Sequence, residues 1–164
     1  MKYNIFLVGP AGSGKTTLGK YISKKINFKF IDCDNFHLKK NKLKMKKGKA
    51  LNQLERLSWL KEIKKKLKIY NNKNLIIAFS GLYRQHREYL LLKNKLNFFY
   101  YLKCSKKTLK ERIKSRKNHF FNPILLNDQI KKFQNKNDLI IVKSSNSMYS
   151  NFKFIVKKSN GIKL

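Results

Sequence analysis

Acidic residues are scarce in this chain. Of 164 residues only 8 are Asp or Glu, against 40 Lys or Arg, a formal net charge of +32. Arginine is rare too (Arg56, Arg84, Arg87, Arg112 and Arg116), so the excess is lysine. The two cysteines, Cys33 and Cys104, make neither a disulfide framework nor a zinc site. A reducing, cytoplasmic setting is the simplest expectation. No run approaches the roughly 18 apolar residues of a membrane span, so no membrane association is expected. The apolar residues 5–8 are too few for a secretory signal and run into a glycine loop. No stretch rich in Pro, Ser and Gly divides the chain and no unit repeats, so one domain over residues 1–164 is expected.

What is present can still build a core. The hydrophobic share is 41% and the aromatic share 13%, enough to exclude disorder throughout despite the charge. A basic balance this strong attracts polyanions at low salt. Yet the lysines are spread along the chain and interleaved with asparagine. Lys, Asn, Ile, Phe and Tyr share A/T-rich codons, so codon bias accounts for the excess without selection for binding. No RNA-recognition, zinc-finger or helix-turn-helix signature accompanies the charge. Nucleic acid is therefore expected to bind only non-specifically, through net charge.

Apolar runs at residues 3–8, 28–31, 75–79, 98–102 and 139–142 read as buried strands. Helical spacing follows the first over residues 15–25. Leu51, Leu54, Leu57, Leu60, Ile63 and Leu67 predict a long amphipathic helix with these leucines on its buried face. A helix reaching Leu92 is expected after the third strand, and Leu109, Arg112, Ile113 and Arg116 share a helical face after the fourth. A short helix over residues 125–133 and a closing helix from Met148 complete the pattern. Residues 32–49 are too lysine-rich for a core element. Strands alternating with helices, each strand continuously apolar, indicate an α/β fold with a five-stranded parallel sheet covered on both faces.

The strongest motif is GPAGSGKT, residues 9–16, between a predicted strand and a predicted helix. Gly9, Pro10, Ala11, Gly12, Ser13 and Gly14 form a loop whose amides point inward as an anion nest. The helix N-terminus adds partial positive charge. Lys15 can reach the β- and γ-phosphates, the Thr16 hydroxyl suits a magnesium ligand, and Thr17 follows on the same turn. This pattern is that of a P-loop NTPase; it implies binding of a nucleoside triphosphate and leaves the phosphoryl acceptor open. Asp32 and Asp34 follow the second strand, at the end of the sheet where ligands of open α/β folds bind. Asp32 suits indirect contact with Mg2+. Asp34 suits orienting or deprotonating an attacking hydroxyl. The same pair would also serve as an Asx turn.

The segment DCDNFHLKKNKLKMKKGKALNQLERLSWL, residues 32–60, resembles the acceptor-loop signature of bacterial gluconokinases without gaps. It retains Asp32, Asp34, His37, Asn41, Lys44, Met45, Gly48, Leu51, Arg56, Trp59 and Leu60. Residues 112–129, RIKSRKNHFFNPILLNDQ, resemble that family's lid. The resemblance implies a fold similar to nucleoside-monophosphate and shikimate kinases, with a substrate loop at about 32–60 and a lid at about 112–126. It implies ATP- and Mg2+-dependent phosphorylation of D-gluconate to 6-phospho-D-gluconate, and a homodimer. It assigns the substrate to Asp34, His37, Lys44 and Arg56, and phosphate closure to Arg112 and Arg116 beside Lys15. His119 falls in the lid and is expected to pack there. His86 is expected to be an exposed helix residue. Several positions depart from the family: its prolines are Leu38, Ala50 and Ser58 here, Gln53 and Leu54 replace acidic residues, Tyr83 stands where it has lysine, and His86 where it has tyrosine. The departures at Tyr83 and His86 leave open another hydroxy acid such as shikimate, or a decayed kinase that binds polyanions.

Overall fold

The computed structural model describes residues 2–116, 120–133 and 136–159. Five strands form one parallel sheet: β1 (Lys2–Val8), β2 (Lys29–Asp32), β3 (Leu75–Phe79), β4 (Lys95–Lys103) and β5 (Ile140–Lys143). Their order is β2-β3-β1-β4-β5, with Val8 of β1 level with Phe79 of β3 and Tyr101 of β4. Chain direction across the sheet reverses beside β1, so the loop after β1 opens at the topological switch point. β3 and most of β1 are buried from end to end, as continuously apolar strands of a two-sided sheet must be.

Helices close both faces. On one, α3 (Gln53–Ile69) lays Trp59, Leu60, Ile63 and Leu67 against Phe6, Val8, Ile77 and Phe79. On the other, α1 (Lys15–Ile26) and α7 (Met148–Lys158) bring Leu18, Ile22, Phe152 and Ile155 against Ile5, Leu7 and Tyr100. α3 begins with a capping box: Asn52 accepts from the Glu55 amide, and the Glu55 carboxylate accepts from the Asn52 amide. Short helices α2 (Lys39–Lys46), α4 (Arg84–Tyr89), α5 (Lys106–Lys114) and α6 (Leu126–Lys131) complete the fold. Among the described residues, no helix is long and apolar enough to cross a membrane.

Three expectations need correction. Leu54 and Leu57 do not face the core; they are 77% and 39% exposed. Three residues of helix turn about 300°, so each leucine in an i, i+3 series falls about 60° behind the last. Leu54 therefore sits about 120° from Leu60 and looks outward. α4 ends at Tyr89 rather than reaching Leu92, where the Lys64 ammonium donates to the Tyr89 and Leu91 carbonyls. The lysine-rich stretch after β2 carries a 3-10 turn, Cys33–Phe36, and then α2, which buries Asn41 and Met45.

Candidate functional site

The loop after β1 is held by its neighbours on every side. The Gly9 amide donates to the Ser80 carbonyl at the end of β3, at 3.2 Å. Gly12 and Gly14 have φ of 82° and 95°, where a side chain is strained. At Gly12 a Cβ would also stand 3.1 Å from the Leu109 carbonyl oxygen of α5. Lys15 Nζ donates to the carbonyls of Gly9 (2.9 Å) and Pro10 (2.8 Å). Burial lowers the Lys15 pKa to about 8, against the opposing pull of Asp34. Arg112 Nη1 donates to the Gly12 carbonyl at 3.3 Å, and Gln129 Oε1 accepts from the Ala11 amide at 2.8 Å.

The tip of β2 meets this loop directly. Thr16 Oγ1 donates to Asp32 Oδ2 at 2.7 Å, and the Asp34 amide donates to Asp32 Oδ1 at 3.1 Å. Of the loop amides expected to form an anion nest, those of Gly9, Ala11 and Ser13 are instead bonded within the protein; the hard oxygens beside the loop fit a divalent cation that draws its other ligands from phosphates and water. Burial raises the Asp34 pKa above the ordinary carboxylate value, and the nearby Lys15 only partly offsets this.

Lys15, Thr16, Asp32, Asp34, His37, Arg56 and Arg116 all line one cavity of about 500 Å3. Its acceptor half is aromatic and basic. His37 stacks on Trp59, ring centroids 4.2 Å apart, and meets Phe120 edge-on at 5.9 Å. Trp59 is fixed by donating its indole N–H to the Cys33 carbonyl at 2.8 Å. Burial, with Lys42 and Arg56 nearby, lowers the His37 pKa to about 3, so the ring is neutral at pH 7. Arg56 Nε donates to the Leu51 carbonyl, and its guanidinium lies over the Tyr83 ring at 5.8 Å.

Other expected residues stand elsewhere. Lys44 does not line the cavity; both carboxylate oxygens of Glu55 hold its ammonium, at 2.7 and 2.9 Å, and tie α2 to α3. Arg112 and Arg116 do not share a helical face, because α5 ends at Lys114. Arg112 instead lines a second groove across Gly12 and Gly14, with Asn146 and Asn151, and Arg116 borders both spaces. His86 is half-buried rather than exposed, edge-on to Tyr83 at 4.8 Å. His119 lies outside the described residues. Sequence reasoning passed over Lys42 and Gln129, which also line the cavity. Gln129 stood in the lid signature and so carried a signal; Lys42 is one lysine in a run of them.

The shikimate kinase family profile matches residues 11–163. A probable gluconokinase of Dictyostelium discoideum is 39% identical over 139 residues, 79% of this chain and 68% of that protein. A probable gluconokinase of Schizosaccharomyces pombe is 35% identical over 139 residues, 79% of this chain and 71% of that protein. A solved gluconokinase structure from Sinorhizobium meliloti superposes with a TM-score of 0.81 at 25% identity, covering 96% of this chain and 91% of that one. A glycine loop ending in Lys15, a hydroxyl–carboxylate pair and a second carboxylate on one cavity, in a chain with these relatives, place it in the gluconokinase family of shikimate kinase-like P-loop enzymes.

Proposed function

We propose that this chain transfers the terminal phosphoryl group of ATP to a hydroxyl of D-gluconate, giving 6-phospho-D-gluconate and ADP. The observation that carries this reading is the shared cavity, lined at once by Lys15, Thr16, Asp34, His37 and Arg56. The acceptor oxygen forms a bond to the γ-phosphorus as the bond to the β,γ-bridging oxygen breaks, and ADP leaves with that electron pair. Asp34 takes the hydroxyl proton; its raised pKa makes it a stronger base than an ordinary carboxylate. Lys15 and Arg116 supply positive charge at the transferred group. Thr16 and Asp32 would hold Mg2+, which when bound neutralises phosphate charge. The groove lined by Arg112, Asn146 and Asn151 is open to the nucleoside. Closure of the segment carrying Phe120 and Phe121 would exclude water, so that transfer outruns hydrolysis. The reading carries with it a cytoplasmic location and a homodimer.

Another acid acceptor has one observation in its favour: Tyr83 and His86 wall a side space next to Arg56. An ADP-release assay across gluconate, shikimate and other hydroxy acids separates the two. Turnover of gluconate is expected, and Lys15→Ala is expected to cut it by about 100-fold or more. Activity on another acid with none on gluconate, or an undiminished Lys15→Ala enzyme, overturns the assignment.

A further inference from the structure

The acid acceptor carries a carboxylate, and the chain's expected cations do not all reach it. Lys44 is spent on Glu55. Arg84 is spent on exposed Glu88, at 2.7 Å, and does not line the cavity. The position where the family has lysine is Tyr83, an aromatic ring under Arg56. Lys15 and Arg116 belong to the phosphate end. In the acceptor half two cations remain, Arg56 from α3 and Lys42 from α2.

Lys42 is placed there by helix phase. Asn41 and Met45, four residues apart, form the buried side of α2. Lys42 follows Asn41 by about 100° and comes out at the cavity wall. Its ammonium lies 5.6 Å from the Phe120 ring centroid, so the aromatic face of the lid holds the side chain without neutralising it. Among the described residues no carboxylate forms an ion pair with it. Phe120 in turn meets His37, which stacks on Trp59. The neutral His37 ring thus sits near two cations that, among the described residues, are in no ion pair, although the Lys42 charge also acts on the Asp34 carboxylate.

We propose that Lys42 is a specificity-determining residue of the acceptor site, which together with Arg56 grips the carboxylate of the acid substrate. This rests on the reading of the chain as a gluconate-phosphorylating enzyme. A carboxylate offers about four lone-pair sites, enough for an ammonium and a guanidinium at once. Occupied by the acid, Lys42 and Phe120 also link the substrate loop to the lid, where Asn122 Nδ2 already donates to the Lys46 carbonyl at 3.0 Å. Gripping the acid and closing over it then become one event.

The test compares wild type with Lys42→Met, which keeps the stem against Phe120, and Lys42→Arg, which keeps the charge. Lys42→Met is expected to raise the gluconate KM by about tenfold or more, the usual weight of a charged hydrogen bond. Its KM for ATP should stay within about threefold, because the residue does not touch the phosphate end, while the acidic limb of its kcat profile should move to higher pH as Asp34 loses a nearby positive charge. Lys42→Arg should keep most of the gluconate affinity. A gluconate KM within twofold of wild type in Lys42→Met, or an equal loss in Lys42→Arg, overturns the proposal while gluconate turnover stands. A wild-type enzyme that does not phosphorylate gluconate overturns the underlying reading, and the clamp with it.

Discussion

Two side chains at the heart of the site have pKa values moved toward neutrality from opposite directions. Lys15 is lowered to about 8 and Asp34 is raised, each chiefly by burial. In the proposed transfer the working forms are charged Lys15 and unprotonated Asp34. The rate should therefore rise with pH through the Asp34 pKa and fall above about pH 8 as free-enzyme Lys15 loses its proton. Bound phosphates favour the ammonium, so the alkaline limb should move to higher pH in kcat than in kcat/KM. His37, at about 3, adds no limb between pH 5 and 10. Rate profiles over that range check this; a kcat/KM flat to pH 10 would count against Lys15 as the charged group. At this scale the sequence reveals most of the site. The loop motif and the Asp32, Asp34, His37 and Arg56 pattern lead to residues that share a cavity, although Gly9, Pro10, Gly12 and Ser13 of the loop do not line it. The motif points to Lys44, but the cavity holds Lys42 instead, because the difference is helix phase and a contact with Glu55, eleven residues on.

The elements follow simple rules with instructive exceptions. α3 is legible in its period and its capping box, but which leucines it buries depends on phase accumulated over the helix. Leu60→Ala should cost about 2–5 kcal/mol, the usual loss for a buried leucine. Leu54→Ala should change stability by less than about 0.5 kcal/mol. Urea denaturation of the two variants decides it, and equal losses would place Leu54 in the core after all. α4 is cut short by long-range contacts that no local pattern records. Arg87, fully buried in it, donates to the Gly81 carbonyl at 2.7 Å and to both Asp138 oxygens at 3.0 and 3.1 Å. That guanidinium joins the loop after β3 to the turn before β5. Its partner Asp138 is 51 residues away, a separation that only the fold closes.

Over the whole molecule the dominant fact is a charge of +32 on 164 residues. Only four ion pairs are formed among the described residues, so most of that charge is uncompensated and repels itself. Sodium chloride screens exposed charges, so Tm should rise between 50 and 500 mM salt. A gain of about 1 kcal/mol would lift it by roughly 2–4 °C for a chain of this size. A Tm that is flat or falls would show that repulsion is not a significant load on the fold. The same screening should release RNA steeply, as expected of counterion exchange rather than a built site. The sheet order has one more consequence. β3 lies between β1 and β2, so the strands that carry the two halves of the site run two strand spacings apart, about 10 Å, and their loops close the gap where Thr16 meets Asp32. That interval is a property of backbone hydrogen bonding. Side-chain drift can retune which acid is admitted, but the spacing of the strands beneath donor and acceptor is built into the weave of the sheet.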